Sequence, residues 1–204
     1  MLTESPVALL LFLITIGVSV YTLLRDHPLL ERLALRPEEV YYERKWYQVL
    51  TSGFVHADFA HLAFNMLSYY FFAFALEQYL GSAEFLILYL GSIILADLPS
   101  VFDHKDDPNY LSLGASGGVS AVIFSYILFE PGAKLRFLFI PIDIPAFVYA
   151  IGFLAYSFYA SKYIRTYVNH KAHLWGALSG IGFTILLSPY VREELFDGIR
   201  NVFR

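Results

Sequence analysis

The stretch Leu113-Gly114-Ala115-Ser116-Gly117-Gly118 stands where a polar loop gives way to an apolar run that reaches Phe129. A serine among small residues at that junction falls in the first turn of a helix, beside free backbone N–H groups and the positive end of the helix dipole. Such a hydroxyl is well placed to attack a carbonyl, because the same donors stabilise the oxygen that becomes negative. Small residues at a helix start also let two membrane helices approach closely, and in isolation that packing reading is the stronger one. The rest of the chain decides between them.

Charged residues are 16% of the 204-residue chain, against roughly 25% in soluble domains. That is too little charge to cover the surface of a soluble fold, and 19 Phe and 16 Tyr add to the apolar excess. One compact all-α membrane domain over residues 1–204 is expected, an integral multi-pass protein whose first partner is the lipid bilayer. A net charge of −4 offers no basic patch for nucleic acid. With no cysteine there is no disulfide or thiolate chemistry.

Hydropathy predicts six spanning helices, at about 6–24, 57–79, 84–102, 114–130, 144–160 and 172–188. The first is read as a retained span, since Met1 to Ser5 carry no Lys or Arg and no small-residue cleavage site follows. Residues 25–56 mix charges with Leu, Tyr and Trp, which suits a partly ordered loop at the membrane interface. The short apolar segment Phe137-Leu138-Phe139-Ile140-Pro141 is also read as interfacial, 162–171 as a turn, and the residues after Ser188 as a short charged tail.

The second, fourth and sixth helices run in the same direction, and each carries its unusual polar residues in its first turns: His61 and Asn65, Ser116, and His173. Parity puts all four in one leaflet. Polar groups inside a span are costly and face a bundle interior or a wet cavity, so a shared cavity follows. Ser116 needs a base to become nucleophilic, and His173 is a candidate. His61 and Asn65, four apart on one helix face, can both donate to an oxyanion. Taken singly, His173 is as well explained by a backbone carbonyl partner, and Asn65 by a helix–helix hydrogen bond. Gly176 and Gly180 lie on the His173 face and would let the sixth helix press on the glycine-rich start of the fourth.

Gly114-Ala115-Ser116-Gly117, then Ala172-His173 with Gly176 and Gly180, and His61-Leu62-Ala63-Phe64-Asn65, together resemble the rhomboid family of intramembrane serine proteases. Leu76-Glu77 and Gly81-Ser82, with Phe85 and Tyr89, resemble that family's turn between its second and third helices. The resemblance runs in order from about Trp46 to Ser188. It implies a six-helix bundle with a Ser–His dyad in a hydrated cavity, and cleavage of transmembrane protein substrates without metal or cofactor. It makes Ser116 the nucleophile, His173 the base, and His61 and Asn65 the oxyanion donors, with Gly114, Gly117, Gly176 and Gly180 packing the site. Two departures stand out: Trp46 is followed by Tyr47 rather than Arg, and Ser120 stands where some members carry a ring that stacks on the catalytic histidine.

Other readings are weaker. The serine motif also fits the nucleophile elbow of α/β-hydrolases, but no strand precedes it. His56, His61, His170 and His173 suggest zinc, yet no His-Glu-x-x-His occurs and no set of three ligands with an open position is evident. A small transporter lacks its expected inverted repeat. An inactive rhomboid-like protein that binds transmembrane partners is the alternative to the protease. The acids are read as outside the mechanism, Asp58 capping the second helix and Asp97 staying solvated near the end of the third. Nine Lys/Arg in loops 25–56, 103–113 and 161–171, against five on the other side, would put the site in the cytoplasm. The family resemblance implies the extracytoplasmic side of a bacterial inner membrane, and that expectation is adopted, because five of the nine lie in one long loop.

Overall fold

The computed structural model describes residues 4–137, 140–164 and 168–202. Helices stand at all six expected positions: α1 (Pro6–Leu24), α5 (Phe59–Leu80), α6 (Ser82–Asp103), α7 (Ser116–Phe129), α8 (Ala146–Tyr163) and α9 (His170–Leu187). Among the described residues, α1, α5 and α6 are each long and apolar enough to cross a membrane. The helix α9 qualifies only jointly with α10 (Pro189–Val202), from which it is bent by 97°. At 14 residues, α7 is about 21 Å long and falls short of a hydrocarbon core of about 30 Å. In α8 the apolar run is diluted by Tyr149, Tyr156, Tyr159, Lys162 and Tyr163. The chain is thus predominantly helical with three to four candidate spans, and the six-span count goes beyond what length and composition show.

Three expectations need correction. Residues 25–56 are largely ordered into α2 (His27–Leu33), α3 (Pro37–Glu43), α4 (Gln48–Thr51) and a 3-10 turn over Ser52–Phe54. Their organiser is the buried Gln48, whose Oε1 accepts Arg36 N–H at 3.0 Å while Nε2 donates to Glu39 Oε2 at 2.9 Å. The fold is not purely helical, because β1 (Lys134–Phe137) pairs antiparallel with β2 (Ile140–Pro145), and Arg136 meets Asp143 across the ladder at 2.7 Å. Leu138 and Phe139 of the segment read as interfacial lie outside the described residues, as do 165–167 of the turn. The charged tail is the helix α10, whose Val191 is buried.

Buried polar groups tie these elements together. The first turn of α1 has no side-chain cap of its own. Glu77, 70 residues away, accepts Val7 N–H at 3.2 Å and Ala8 N–H at 2.6 Å, and supplies the missing acceptor. Between α5 and α6 a single residue, Gly81, makes the turn at φ +92, open to glycine at no steric cost.

The start of α7 is fixed by His56, which lies outside the spans and is fully buried. Ser19 Oγ donates to Phe54 O at 2.9 Å, so its contact with His56 Nδ1 at 2.9 Å makes the imidazole Nδ1–H the donor there. Nε2 is then the acceptor for Ala115 N–H at 3.2 Å. Burial pushes His56 down to about 3, which keeps this tautomer neutral.

The helix α7 lies against α5, α6 and α9, and its contact with α9 is the most extensive. A Cβ on Gly176 would stand 2.9 Å from Gly117 Cα, and one on Gly180 would stand 2.6 Å from Ala121 Cα. The two backbones therefore touch along two turns, which any larger residue would prevent.

Gly180→Val should force α7 and α9 apart and destabilise the protein by about 1–3 kcal/mol or more, the scale of overpacking a close contact. Gly182→Ala, where a Cβ meets nothing within 4 Å, should be neutral or slightly stabilising. Thermal denaturation in detergent micelles reads both. Because the folded His56 holds its proton far more weakly than an unfolded histidine, the unfolded state binds more protons between about pH 6.5 and 3. Stability should fall as pH drops through that window, by up to about 1.4 kcal/mol per unit from this group. His56→Gln, which keeps an acceptor but does not titrate, should show a flatter stability curve from pH 7 to pH 5 than wild type.

Candidate active site

The site begins two residues before Ser116. Gly114 has φ +119, a conformation that side chains rarely adopt, and its N–H donates to Ser52 O at 2.9 Å. The His61 imidazole lies directly on it: a Cβ there would stand 2.8 Å from His61 Nε2. Only glycine allows this close approach. With the amides of Gly114 and Ala115 bonded to Ser52 and His56, α7 opens at Ser116 without a side-chain cap. Its first N–H groups are the kind of donor an oxyanion needs. Ser116 is half-buried.

Asp58 Oδ1 accepts His61 N–H at 2.7 Å and caps α5, the reading the sequence suggests for it. The His61 ring stands edge-on to His56 at 4.9 Å between centroids. One turn along, Asn65 is 7% exposed and donates one Nδ2 hydrogen to His61 O at 2.9 Å. Among the described residues, the second hydrogen of that amide has no hydrogen-bond acceptor.

His173 sits in the first turn of α9, half-buried. Asn169 caps this helix through Oδ1, which accepts Ala172 N–H at 3.0 Å. Its Nδ2 lies among Ser100 Oγ at 3.1 Å, Tyr110 OH at 3.1 Å and Ser112 Oγ at 3.2 Å. The end of α6 and the loop after it thus hold the start of α9 in place. A Cβ on Gly117 would lie 3.7 Å from the Ala172 carbonyl oxygen, and Gly176 rests on Gly117. Residues 172 and 176 bracket His173, so Ser116 and the base candidate stand at one level of adjoining helices. No hydrogen bond joins Ser116 to His173 among the described residues; such bonds are often long before substrate binds.

Asp97 corrects an expectation. It is buried, not solvated, and accepts Ser52 Oγ–H at 2.8 Å. Since Ser52 O in turn receives Gly114 N–H, this carboxylate braces the loop under the serine and does not bond to either histidine of the site. Among the described residues, no three of His, Cys, Asp or Glu converge as a metal ion would require. Sequence reasoning missed the roles of His56, Asn169 and Ser52. The spacing of His56 from His61 was visible, but its partners Ser19 and Ala115 are 37 and 59 residues away.

Residues 43–190 match the family model of the rhomboid domain. The chain is 32% identical over 142 residues to YdcA of Bacillus subtilis, whose name assigns it provisionally to the rhomboid proteases, covering 70% of this chain and 67% of that one. It is 30% identical to the mitochondrial rhomboid protein 1 of Saccharomyces cerevisiae, over 72% of this chain and 43% of the relative. It is 28% identical to the human presenilin-associated rhomboid-like protein of mitochondria, over 66% of this chain and 36% of the relative. The chain therefore spans less than half the length of these mitochondrial relatives. With most of its length matched, and with its helices in the expected order, this chain belongs to the rhomboid family.

Proposed function

We propose that this protein is an intramembrane serine endopeptidase that cleaves transmembrane protein substrates through Ser116 and His173. The observation that carries the reading is the close approach of Gly117, in the first turn of α7, to Ala172 and Gly176 in the first two turns of α9. His173 takes the proton of Ser116 as Oγ attacks the scissile carbonyl. The oxygen that becomes negative is met by Asn65 Nδ2, the His61 imidazole and the Ser116 N–H. Collapse of the intermediate breaks the peptide C–N bond, and the leaving amine takes the proton from His173. Water, deprotonated by the same imidazole, then releases the acyl group from Ser116. Asp58 accepts from His61 N–H and Asp97 from Ser52, and neither is bonded to His173 among the described residues, which supports a dyad over a triad.

We read the bundle as six spans, with α7 as the short one. Its far end is marked by Phe129, which stacks on Tyr190 of α10 at 6.4 Å, next to the point where the chain turns crosswise by 97°. With that end at one face, Ser116 lies about 10 Å beneath the other, within reach of water and of a bilayer-embedded substrate. The extracytoplasmic side of a bacterial inner membrane is the face we assign to this opening, on the family resemblance. A rhomboid-like protein that binds transmembrane partners without cutting them is the second reading, favoured by the missing Ser116–His173 hydrogen bond.

Ser116→Ala and His173→Ala should each abolish cleavage of a reconstituted transmembrane substrate and labelling by a serine-directed fluorophosphonate, with the melting temperature preserved. Wild-type protein that neither cleaves nor labels would establish the binding-only reading instead. His61→Ala and Asn65→Ala should each lower single-turnover cleavage by about ten- to a thousandfold, the scale of losing one oxyanion donor. Wild-type rates in both variants would remove them from that role.

A further inference from the structure

A histidine that works without a carboxylate still has to be held in one orientation, and here both nearby acids are engaged elsewhere. One turn after Ser116 on α7, Ser120 is buried and offers the imidazole no ring. Among the described residues, two rings approach His173. His170, from its own helix, stands edge-on at 6.1 Å and 89°. Phe153, from α8, stands at 6.3 Å with only 30° between the planes, inside the separation at which aromatic pairs attract. Phe153 is itself held from two sides, by Phe124 of α7 at 5.3 Å and by Tyr149 at 5.7 Å.

We infer that Phe153 is the positioning residue of His173: its ring, backed by Phe124, sets the plane of the imidazole so that the base faces Ser116. The inference rests on the protease reading. It puts part of the catalytic geometry on α8, a helix whose buried residues are limited to Ala146, Ser157 and Ala160. The base is therefore only as well aligned as α8 is placed. A small loss of alignment is costly, since a displacement of about 1 Å in reacting groups can cost about a hundredfold in rate.

The test compares Phe153→Leu with Phe153→Tyr in the full chain in micelles. Leucine keeps apolar volume and loses the ring, whereas tyrosine keeps the ring. Phe153→Leu should lower kcat and the fluorophosphonate labelling rate by about tenfold or more, with KM changed less than about twofold and the melting temperature kept. Phe153→Tyr should restore both rates to near wild type. Should Phe153→Leu melt early, Phe153→Met, flexible enough to refill the space, carries the same comparison. The His173 ring-proton shifts should also move in Phe153→Leu and stay in Phe153→Tyr. A ringless, stably folded variant with wild-type kcat, or one that loses only KM, overturns the inference while leaving the dyad standing. A wild-type protein that neither labels nor cleaves overturns the protease reading and this inference with it.

Discussion

The constraint on which the rest depends is the meeting of two bare backbones, Gly176 on Gly117 and Gly180 on Ala121. Lipid tails are as apolar as leucine, so helices inside a membrane gain little by burying apolar side chains against one another. Close packing and satisfied polar groups must do that work. Removing side chains from the seam brings the two helices together at the level where one carries Ser116 and the other His173. The same four residues that make the seam tight make the site possible. Close packing and the proposed chemistry therefore share these positions.

Around that seam the polar groups form a scaffold and not a scattered set. His56 joins α1 to the start of α7, Asp97 and Ser52 brace Gly114, and Asn169 fastens α9 to the end of α6. Each bond satisfies a buried or half-buried polar group that would be expensive to leave unpaired. Each also ends on a residue next to the site. The outcome is a loop before α7 whose amides at Gly114 and Ala115 are spoken for, while the helix opens uncapped at Ser116. His61 adds a steric demand that only glycine meets, since its ring occupies the space of a Cβ on Gly114.

The polar loops show the same economy outside the spans. Lys45, pushed up to about 12 by the hydrogen bonds it donates to Glu39 and Glu43, closes the cluster around the buried Gln48. That cluster turns residues 25–56, which read as a partly ordered interfacial stretch, into three short helices, of which α3 and α4 lie against α6 and α2 against α1. Trp46 and Tyr47 remain exposed on its surface, as interfacial aromatic residues do.

By itself the sequence determined the order and position of the six main helices, because apolar run length and the glycine, proline and charge breaks between runs are local properties. It also led to the expectation that Ser116, His61, Asn65 and His173 share one leaflet, because the direction of successive spans alternates. The close face of α9 was legible too, since glycines three and seven residues after His173 repeat with the helix period. Only the tertiary structure decided what is non-local. The burial of Asp97 depends on Ser52, 45 residues away, and the tautomer of His56 depends on Ser19 and Ala115. Phe153, one of the two rings beside His173, comes from α8 and not from the turn after Ser116, a contact between helices that no spacing within one helix can reveal. Periodicity fixes which face a residue is on, while its partner on that face is chosen by how the helices cross.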